Sequence, residues 1–222
     1  MPTPEAVQWF KIQFDDRINN AIQGTPLKKN LITAIAIKES YEIWSQVYHR
    51  LTVNEVLALC TGDTLDADGG RNNTAFPADK ADLIRVINGR RMFDIAHQAL
   101  VDMSRHVPGY RRVATNPNKF CHGYGIFQYD LQFFLSNPNF FLERRWVNFD
   151  ECLGLLLGEL RTKYNMYFRN RRTLTDRELV YLAIAYNSGS VNLNGGFRQG
   201  YNDGEYYGES IWRYLQLLNR IH

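Results

Sequence analysis

One carboxylate in this chain follows a run of seven residues that is almost wholly apolar. The residues from Leu31 to Ile37 include one polar side chain, Thr33, and Glu39 comes two positions later. We predict a buried helix that ends near Glu39, where apolar neighbours and the negative end of the helix would both disfavour the charged carboxylate. A carboxyl group that stays protonated near neutral pH can act as a general acid. The alternative is that Glu39 is the first solvated residue after a buried helix.

Two further segments combine glycine with polar side chains. Gly123 to Asp130 contains two glycines, which allow close approach of the backbone to a ligand, and then Gln128, whose amide both donates and accepts. Ala185 to Gly189 ends a predicted helix in Tyr186 and Asn187, with the glycine as its left-handed C-cap. Taken alone, these segments are a loop-to-helix junction and a helix cap. The functional alternative is that Tyr186 and Asn187 face a polar cleft.

A turn-rich segment from Cys60 to Pro77, predicted to be a loop, carries three aspartates, Asp63, Asp66 and Asp68. The spacing invites comparison with an EF-hand, but the positions of the first and twelfth calcium ligands hold Thr64 and Ala75. We therefore expect a solvated turn and no metal site. One of the aspartates could still lie near Glu39 and take part in its chemistry.

Helix patterns dominate the rest of the chain, and no segment shows a convincing strand pattern. Thr25 and Pro26 are predicted to begin the buried helix that ends near Glu39. Capping-box sequences begin further helices after Thr52 and Thr175. The other predicted helices cover residues 5–22, 90–106, 126–135, 148–168 and 209–221. We therefore predict a mainly α fold in a single domain.

Composition sets broad limits on the chain. With 222 residues, 45% hydrophobic and 22% charged, it should fold as a globular protein. Its net charge of +3 is too weak to predict nucleic-acid binding. The three cysteines have no metal-binding spacing, and we expect them to be reduced: Cys60, Cys121 and Cys152. No cofactor is predicted.

No apolar run approaches the length of a membrane helix, so no integral membrane segment is expected. The first residues lack the basic and apolar regions of a signal peptide. We therefore expect synthesis in the cytoplasm, or a trimmed form of a longer protein. Separately, we expect the chain to be a monomer.

The order of the motifs resembles the lysozyme-like superfamily, most closely the soluble lytic transglycosylases and goose-type lysozymes. Their patterns are Glu-Ser at the end of a helix, a Gly-Leu-Met-Gln segment, and Ala-Tyr-Asn-Ala-Gly. The corresponding residues here are Glu39-Ser40, Gly125 to Gln128, and Ala185 to Gly189. The sequence Gln128-Tyr129-Asp130 is also similar to the Gln-Val-Asp of goose-type enzymes. These motifs are short, while the helices between them fit about half of the chain.

The resemblance implies a role for each matching residue. Glu39 would be the general acid that protonates the glycosidic oxygen, with Ser40 contacting substrate beside it. Tyr186 would hydrogen-bond near Glu39 and hold it, and Asn187 would support the cleft. The sugar subsites would be lined by Tyr124, Gly125, Ile126, Phe127 and Gln128. The substrate would be peptidoglycan or a related glycan containing N-acetylglucosamine, and the mild positive charge is compatible with an acidic bacterial wall.

The chain departs from the family pattern in two ways. The interval between Glu39 and the glycine-rich segment is much longer, so residues from about 47 to 120 are predicted to be an insertion of helices and loops that forms a cleft wall or lid. The aspartates that precede the glycine-rich segment of goose-type enzymes have no counterpart among Asn116 to His122.

The missing aspartate bears on the expected reaction. Most glycosidases need two carboxylates. Glu39 acting alone would be the acid and then the base that takes the C6 hydroxyl proton of N-acetylmuramic acid, which predicts the 1,6-anhydro product of a lytic transglycosylase. The competing route is hydrolysis, with water activated by one of four aspartates: Asp63, Asp66, Asp68 or Asp130.

Two other hypotheses stay open from the sequence. The same fold could act on chitin, which shares the N-acetyl sugar and the bond type. Alternatively, the chain could be a non-catalytic module that binds glycan through aromatic loop residues, namely Tyr201, Tyr206 and Tyr207.

Overall fold

The computed structural model describes residues 1–64, 76–202 and 204–221. Helices contain 62% of these residues and strands contain 6%, which confirms the predicted mainly α class. The α-helices of this part of the chain, α1 to α10, span Pro4–Ile22, Lys29–Trp44, Val53–Leu59, Lys80–Ile84, Gly89–His106, Arg111–Ala114, Pro138–Leu142, Phe149–Tyr167, Asp176–Ser188 and Tyr207–Leu218. Within the described ranges, no helix is long and apolar enough to cross a membrane.

Short strands accompany the helices, although the sequence showed no strand pattern. Strands β1 to β5 span Thr61–Thr64, Cys121–Tyr124, Tyr129–Asp130, Tyr201–Asn202 and Glu205–Tyr206. The first three form an antiparallel sheet in the order β1-β2-β3, and β4 pairs with β5. Each strand has only two to four residues. Such strands are too short for an alternating pattern to be recognised.

Contacts divide the chain into two compact units. The first unit contains Met1–Glu39 and Leu153–His222, and the second contains Ser40–Cys152. The boundaries fall inside α2 and α8. The predicted insertion, from about residue 47 to 120, belongs to the second unit.

In the first unit, the helix ends follow local sequence signals. The Thr175 hydroxyl accepts a hydrogen bond from the backbone of Glu178, whose side chain returns the contact, so the predicted capping box at the start of α9 is confirmed. Gly189 then ends α9 with a φ of 77°, as its lack of a Cβ predicted. The buried face of α1 contains the predicted apolar positions, Val7, Phe10, Phe14 and Ile18.

Helix α2 is interior, as predicted, since every residue from Leu31 to Ile37 is buried. Its start was predicted wrongly. The hydroxyl of Thr25 donates to the carbonyl oxygen of Ile22 and accepts from the backbone N–H of Leu27, which makes a turn. The helix itself begins at Lys29.

The end of α2 was also predicted wrongly. The helix continues past Glu39 to Trp44. No glycine or proline interrupts this stretch, and Ile43 and Trp44 are both buried, so continuing the helix places further apolar surface in the core.

In the second unit, α5 confirms the predicted helix at residues 90–106, with Met92, Ala96, Leu100 and Met103 on its buried face. The predicted helix at residues 126–135 is wrong. That segment contains a turn, β3 and a 3₁₀-helix from Leu131 to Leu135. Asp130 caps the 3₁₀-helix by accepting a 2.6 Å hydrogen bond from the backbone N–H of Gln132, so the chain turns there instead of continuing one helix.

Helix α10 begins against α9 at a position that requires glycine. A Cβ on Gly208 would lie 2.5 Å from Ile184 Cδ1 and 2.5 Å from the carbonyl oxygen of Phe197. Both distances are below van der Waals contact, and the Phe197 atom belongs to the backbone. The first turn of α10 therefore depends on the absence of a side chain here.

We expect Gly208→Ala to lower the free energy of unfolding by about 1–3 kcal/mol, because the added methyl group must displace packed atoms. Gly158→Ala on α8 is the matched control, since no atom lies within 4 Å of the Cβ that would be added. That variant should leave stability unchanged or raise it by about 0.4–1 kcal/mol. Urea unfolding monitored by circular dichroism measures both. Equal stability of the two variants would contradict the packing argument.

Candidate active site

The Glu39 carboxylate has a buried hydrogen-bond donor within its own unit. The hydroxyl of Tyr207, the first residue of α10, donates to Glu39 Oε1 at 2.6 Å. Tyr207 is 3% exposed, and Glu39 is half-buried. A hydrogen bond of this length is typical of a hydroxyl that donates to an ionised carboxylate. The pair therefore joins α2 and α10 by a short polar contact at the edge of an apolar core.

Backbone contacts fix the position of Tyr207. Its N–H donates to the carbonyl oxygen of Gly200 at 3.0 Å, and the next residue, Gly208, donates to Gln199. Gly200 has a φ of 70°, and a Cβ there would lie 2.9 Å from Tyr207 Cβ and 3.1 Å from Asn187 Oδ1. The loop before α10 can approach Tyr207 this closely only because residue 200 is glycine.

The surroundings of Tyr207 keep its hydroxyl protonated. Burial raises the pKa of Tyr207 well above 10, and the negative charge of Glu39 raises it further. A smaller contribution to the raised pKa comes from Tyr186 on α9. Tyr207 is therefore a permanent donor to Glu39 over the whole range in which proteins are usually active.

The helix end that was predicted to lie beside Glu39 is absent from that position. The sequence suggested that the negative end of α2 would act on this carboxylate, but α2 ends at Trp44, more than one turn further along. The field of a helix end falls off within the last turn. The local environment of Glu39 is instead defined by partial burial and by Tyr207.

The Tyr-Asn-Ser-Gly motif lies at the end of α9, in the same unit. Tyr186 is half-buried and contributes to the electrostatic environment of Tyr207. Asn187 is exposed, and its Oδ1 accepts a hydrogen bond from Ser188 at 3.4 Å. The structure thus brings Tyr186, Asn187 and Glu39 to the surroundings of Tyr207. The predicted hydrogen bond between Tyr186 and Glu39 stays a prediction.

Tyr207 was predicted only as a glycan-binding aromatic, and its role as the partner of Glu39 was not predicted from the sequence. A signal was present, because buried residues of α10 recur at helical spacing: Tyr207, Ile211, Leu215 and Leu218. Extending that apolar face by one turn would have placed the Tyr207 ring inside.

The glycine-rich segment lies in the second unit, where it links β2 to β3. Most of its side chains are core residues: Tyr124 and Ile126 are fully buried, and Phe127 is 3% exposed. The Tyr124 hydroxyl donates to the carbonyl oxygen of Cys121 at 2.8 Å. Gly125 has a φ of 78°, and a Cβ there would lie 2.5 Å from Cys152 Sγ. The predicted substrate contacts of this segment stay predictions. Its side chains pack in the core of the second unit, and Gly125 lies against Cys152.

The Gln128 side chain links the turn before β3 to the start of β1, and we call this link its bracket role. Its Nε2 donates to the carbonyl oxygen of Gly125 at 2.7 Å and to that of Cys60 at 3.3 Å. Its Oε1 lies so close to Gly62 and Gly123 that a side chain at either position would collide with it. The amide therefore ties the turn to the start of β1, and two glycines make room for it.

Ser40 is the second residue of the Glu-Ser motif and belongs to the second unit. It is 2% exposed, and its hydroxyl donates to the carbonyl oxygen of Ile126 at 2.7 Å. This hydrogen bond attaches α2 to the glycine-rich segment. The contact of Ser40 with substrate stays a prediction.

Two of the four candidate aspartates interact within the second unit. Asp63 lies on β1 and Asp130 on β3, the strands that flank β2. Burial raises the pKa of Asp130, and the negative charge of Asp63 raises it further, against the lowering effect of the hydrogen bond from Gln132. The other two candidates, Asp66 and Asp68, lie outside the described residues.

No group of three or more His, Cys, Asp or Glu side chains within residues 1–64, 76–202 and 204–221 could hold a metal ion. All three cysteines are free and buried, and their reduced state stays a prediction. Burial raises the pKa of the Cys121 and Cys152 thiols to about 12. These thiols are therefore packing groups and not nucleophiles at neutral pH.

Comparison of the chain with models of known families, with curated proteins and with solved structures found no match in any of the three. The resemblance to lysozyme-like enzymes therefore depends on the short motifs around Glu39, Gln128 and Tyr186.

The bracket role of Gln128 can be separated from a substrate role by Gln128→Glu. This change removes both amide donors and places carboxylate oxygens against two carbonyl oxygens, so we expect a loss of about 2–3 kcal/mol in the free energy of unfolding. The same substitution at exposed Gln132 is the control and should have little effect. Chemical denaturation measures both. Wild-type stability of Gln128→Glu would contradict the bracket and leave substrate contact as the main role.

Proposed function

We propose that the chain is a glycosidase that cleaves the β-1,4 bond between N-acetylmuramic acid and N-acetylglucosamine in peptidoglycan, with Glu39 as the general acid and base. The observation that carries the proposal is the 2.6 Å hydrogen bond from the buried Tyr207 hydroxyl to Glu39. The order of the three motifs, which resembles that of lytic transglycosylases and goose-type lysozymes, supports it.

The Tyr207 hydrogen bond suits a residue that is acid and then base. When protonated Glu39 gives its proton to the glycosidic oxygen, negative charge develops on the carboxylate and the hydrogen bond from Tyr207 strengthens. A contact that is stronger in the transition state than in the ground state accelerates the reaction. Tyr207 also holds one oxygen of the carboxylate, Oε1, in a fixed position.

The proposed reaction is of the lytic transglycosylase type and consumes no water. The bond between C1 of N-acetylmuramic acid and the glycosidic oxygen breaks, and that oxygen takes the proton of Glu39. The C6 hydroxyl oxygen then bonds to C1, while its proton returns to Glu39. The product is a 1,6-anhydro sugar, and the enzyme ends in its starting protonation state.

Hydrolysis is the second candidate, and one observation favours it. Asp63 and Asp130 are close enough for the charge of one to raise the pKa of the other. In an inverting glycosidase a carboxylate other than the acid takes a proton from the attacking water, and a raised pKa makes Asp130 a stronger base for that step. Under this route Asp130→Asn would abolish formation of reducing ends, whereas under the transglycosylase route product chemistry would not change.

Replacing Glu39 by Gln tests the proposal directly. We expect the rate of peptidoglycan cleavage to fall by about 10²- to 10⁴-fold, because the amide cannot donate and retake the proton. Glu42→Gln, at an exposed position one turn along α2, is the control and should keep wild-type activity. Lysis of purified peptidoglycan gives the rate, and mass spectrometry distinguishes anhydro ends from reducing ends.

Activity of Glu39→Gln within about twofold of wild type would overturn the proposal, since loss of a general acid costs far more. Cleavage of chitin oligosaccharides without any cleavage of peptidoglycan would move the substrate to chitin. Tight glycan binding without turnover by the wild-type chain would favour the non-catalytic module.

Tyr207→Phe removes the donor and keeps the ring. A hydrogen bond to a charged group is worth about 1.5–3 kcal/mol, so we expect kcat to fall about 10- to 100-fold. KM should change little, because Tyr207 acts on the carboxylate and not on bound sugar. Tyr164→Phe, on α8, is the matched control, because it also removes one tyrosine hydroxyl hydrogen bond, the 2.7 Å contact with the carbonyl oxygen of Arg171. A change confined to KM would show that Tyr207 binds substrate instead.

A further inference from the structure

A second polar network lies beside the Tyr207–Glu39 hydrogen bond, and all of its members belong to the first unit. Its centre is Glu205 on β5. The Glu205 carboxylate accepts hydrogen bonds from Ser210 at 2.7 Å and Arg213 at 2.9 Å, and it pairs with Lys38 at 3.4 Å. Hydrogen bonds from Ser210 and then Arg213 lower the pKa of Glu205 to about 2. Glu205 is therefore ionised at every pH at which the protein would work.

The partners of Glu205 lie on the two helices that carry the candidate site. Lys38 is on α2 and directly precedes Glu39 in the chain. Ser210 and Arg213 are on α10, three and six residues after Tyr207. One carboxylate thus connects the helix of the acid to the helix of its donor, through contacts that are separate from the Tyr207–Glu39 hydrogen bond.

The partners of Glu205 differ in burial between α10 and α2. Ser210 is 1% exposed, so its hydroxyl fixes Glu205 to the buried face of α10. Lys38 has a side chain that is 23% exposed, and Glu205 itself is 45% exposed. An isolated ion pair at such exposure is worth little, but a carboxylate with three partners, one of them buried, restricts the geometry more strongly.

We propose that Glu205 is a positioning residue that holds α2 and α10 at the separation at which Tyr207 donates to Glu39. This inference rests on the proposed function and adds to it a residue outside the three sequence motifs. The contacts of Glu205 with Lys38, Ser210 and Arg213 act on the two helices, so we expect its effect on Glu39 to pass through Tyr207.

Kinetics with Glu205→Gln test this role. We expect kcat to fall about threefold to tenfold with little change in KM, because a partly exposed network contributes about 1 kcal/mol. In the Tyr207→Phe background the same change should cost nothing further, since the contact that Glu205 serves is already lost. Glu209→Gln is the control: this exposed residue pairs with Arg198 at 3.6 Å and should leave kcat unchanged. Equal losses in both backgrounds would overturn the proposal.

A measurement without substrate separates this inference from the proposed function. Carbon-13 NMR of labelled Glu side chains gives the pH at which the Glu39 carboxyl titrates in the wild type and in Glu205→Gln. Tyr207 on α10 donates directly to Glu39, Tyr186 on α9 acts on the electrostatic environment of Tyr207, and Lys38, the residue before Glu39, pairs with Glu205. Loss of the Tyr207 donor raises the titration midpoint of Glu39, because the donor favours the charged form.

The direction in which the titration midpoint of Glu39 moves in Glu205→Gln distinguishes a positioning role from a purely electrostatic one. If Glu205 only contributed negative charge, its removal would lower the midpoint of Glu39, and release of Lys38 would lower it further. An upward shift in Glu205→Gln, in the same direction as in Tyr207→Phe, supports positioning. A downward shift, or none, overturns it. The absence of any glycosidase activity in the wild type would refute the proposed function while leaving this result interpretable.

Discussion

The hydrogen bond between Tyr207 and Glu39 is the interaction on which the candidate site depends. It combines a carboxylate at the end of an apolar helix segment with a phenol whose burial and charged neighbour keep it protonated. Either residue alone would be ordinary, since half-buried glutamates and buried tyrosines are common in folded proteins. Together they form a carboxylate with one oxygen held by a buried donor that strengthens its bond as negative charge develops.

Close approaches at glycine support this interaction within the first unit. Gly200 lets the preceding loop pass beside Tyr207, and Gly208 lets α10 begin against α9. Similar packing organises the second unit, where Gly62 and Gly123 accommodate the amide of Gln128. In both units a polar side chain has its position because a neighbouring residue has no Cβ.

The proposal of a glycosidase depends on chemistry and motif order together. The missing aspartate before the glycine-rich segment favoured a transglycosylase route, in which Glu39 acts twice. The structure adds the Asp63–Asp130 pair, which arises from the pairing of β1 and β3 with β2 and was not visible as a pair in the sequence. The two routes therefore differ in whether this carboxyl pair takes part in the reaction.

The sequence by itself determined the mainly α class, the caps of α3 and α9, the buried stretch of α2 and Glu39 as the candidate acid. These features depend on local patterns, namely apolar periodicity and capping residues, which act over a few positions. The short strands, the end of α2 and the bracket role of Gln128 were decided by tertiary structure. So was the choice of Tyr207 as donor to Glu39, because these two residues are 168 positions apart in the chain and meet only when α10 packs in the first unit.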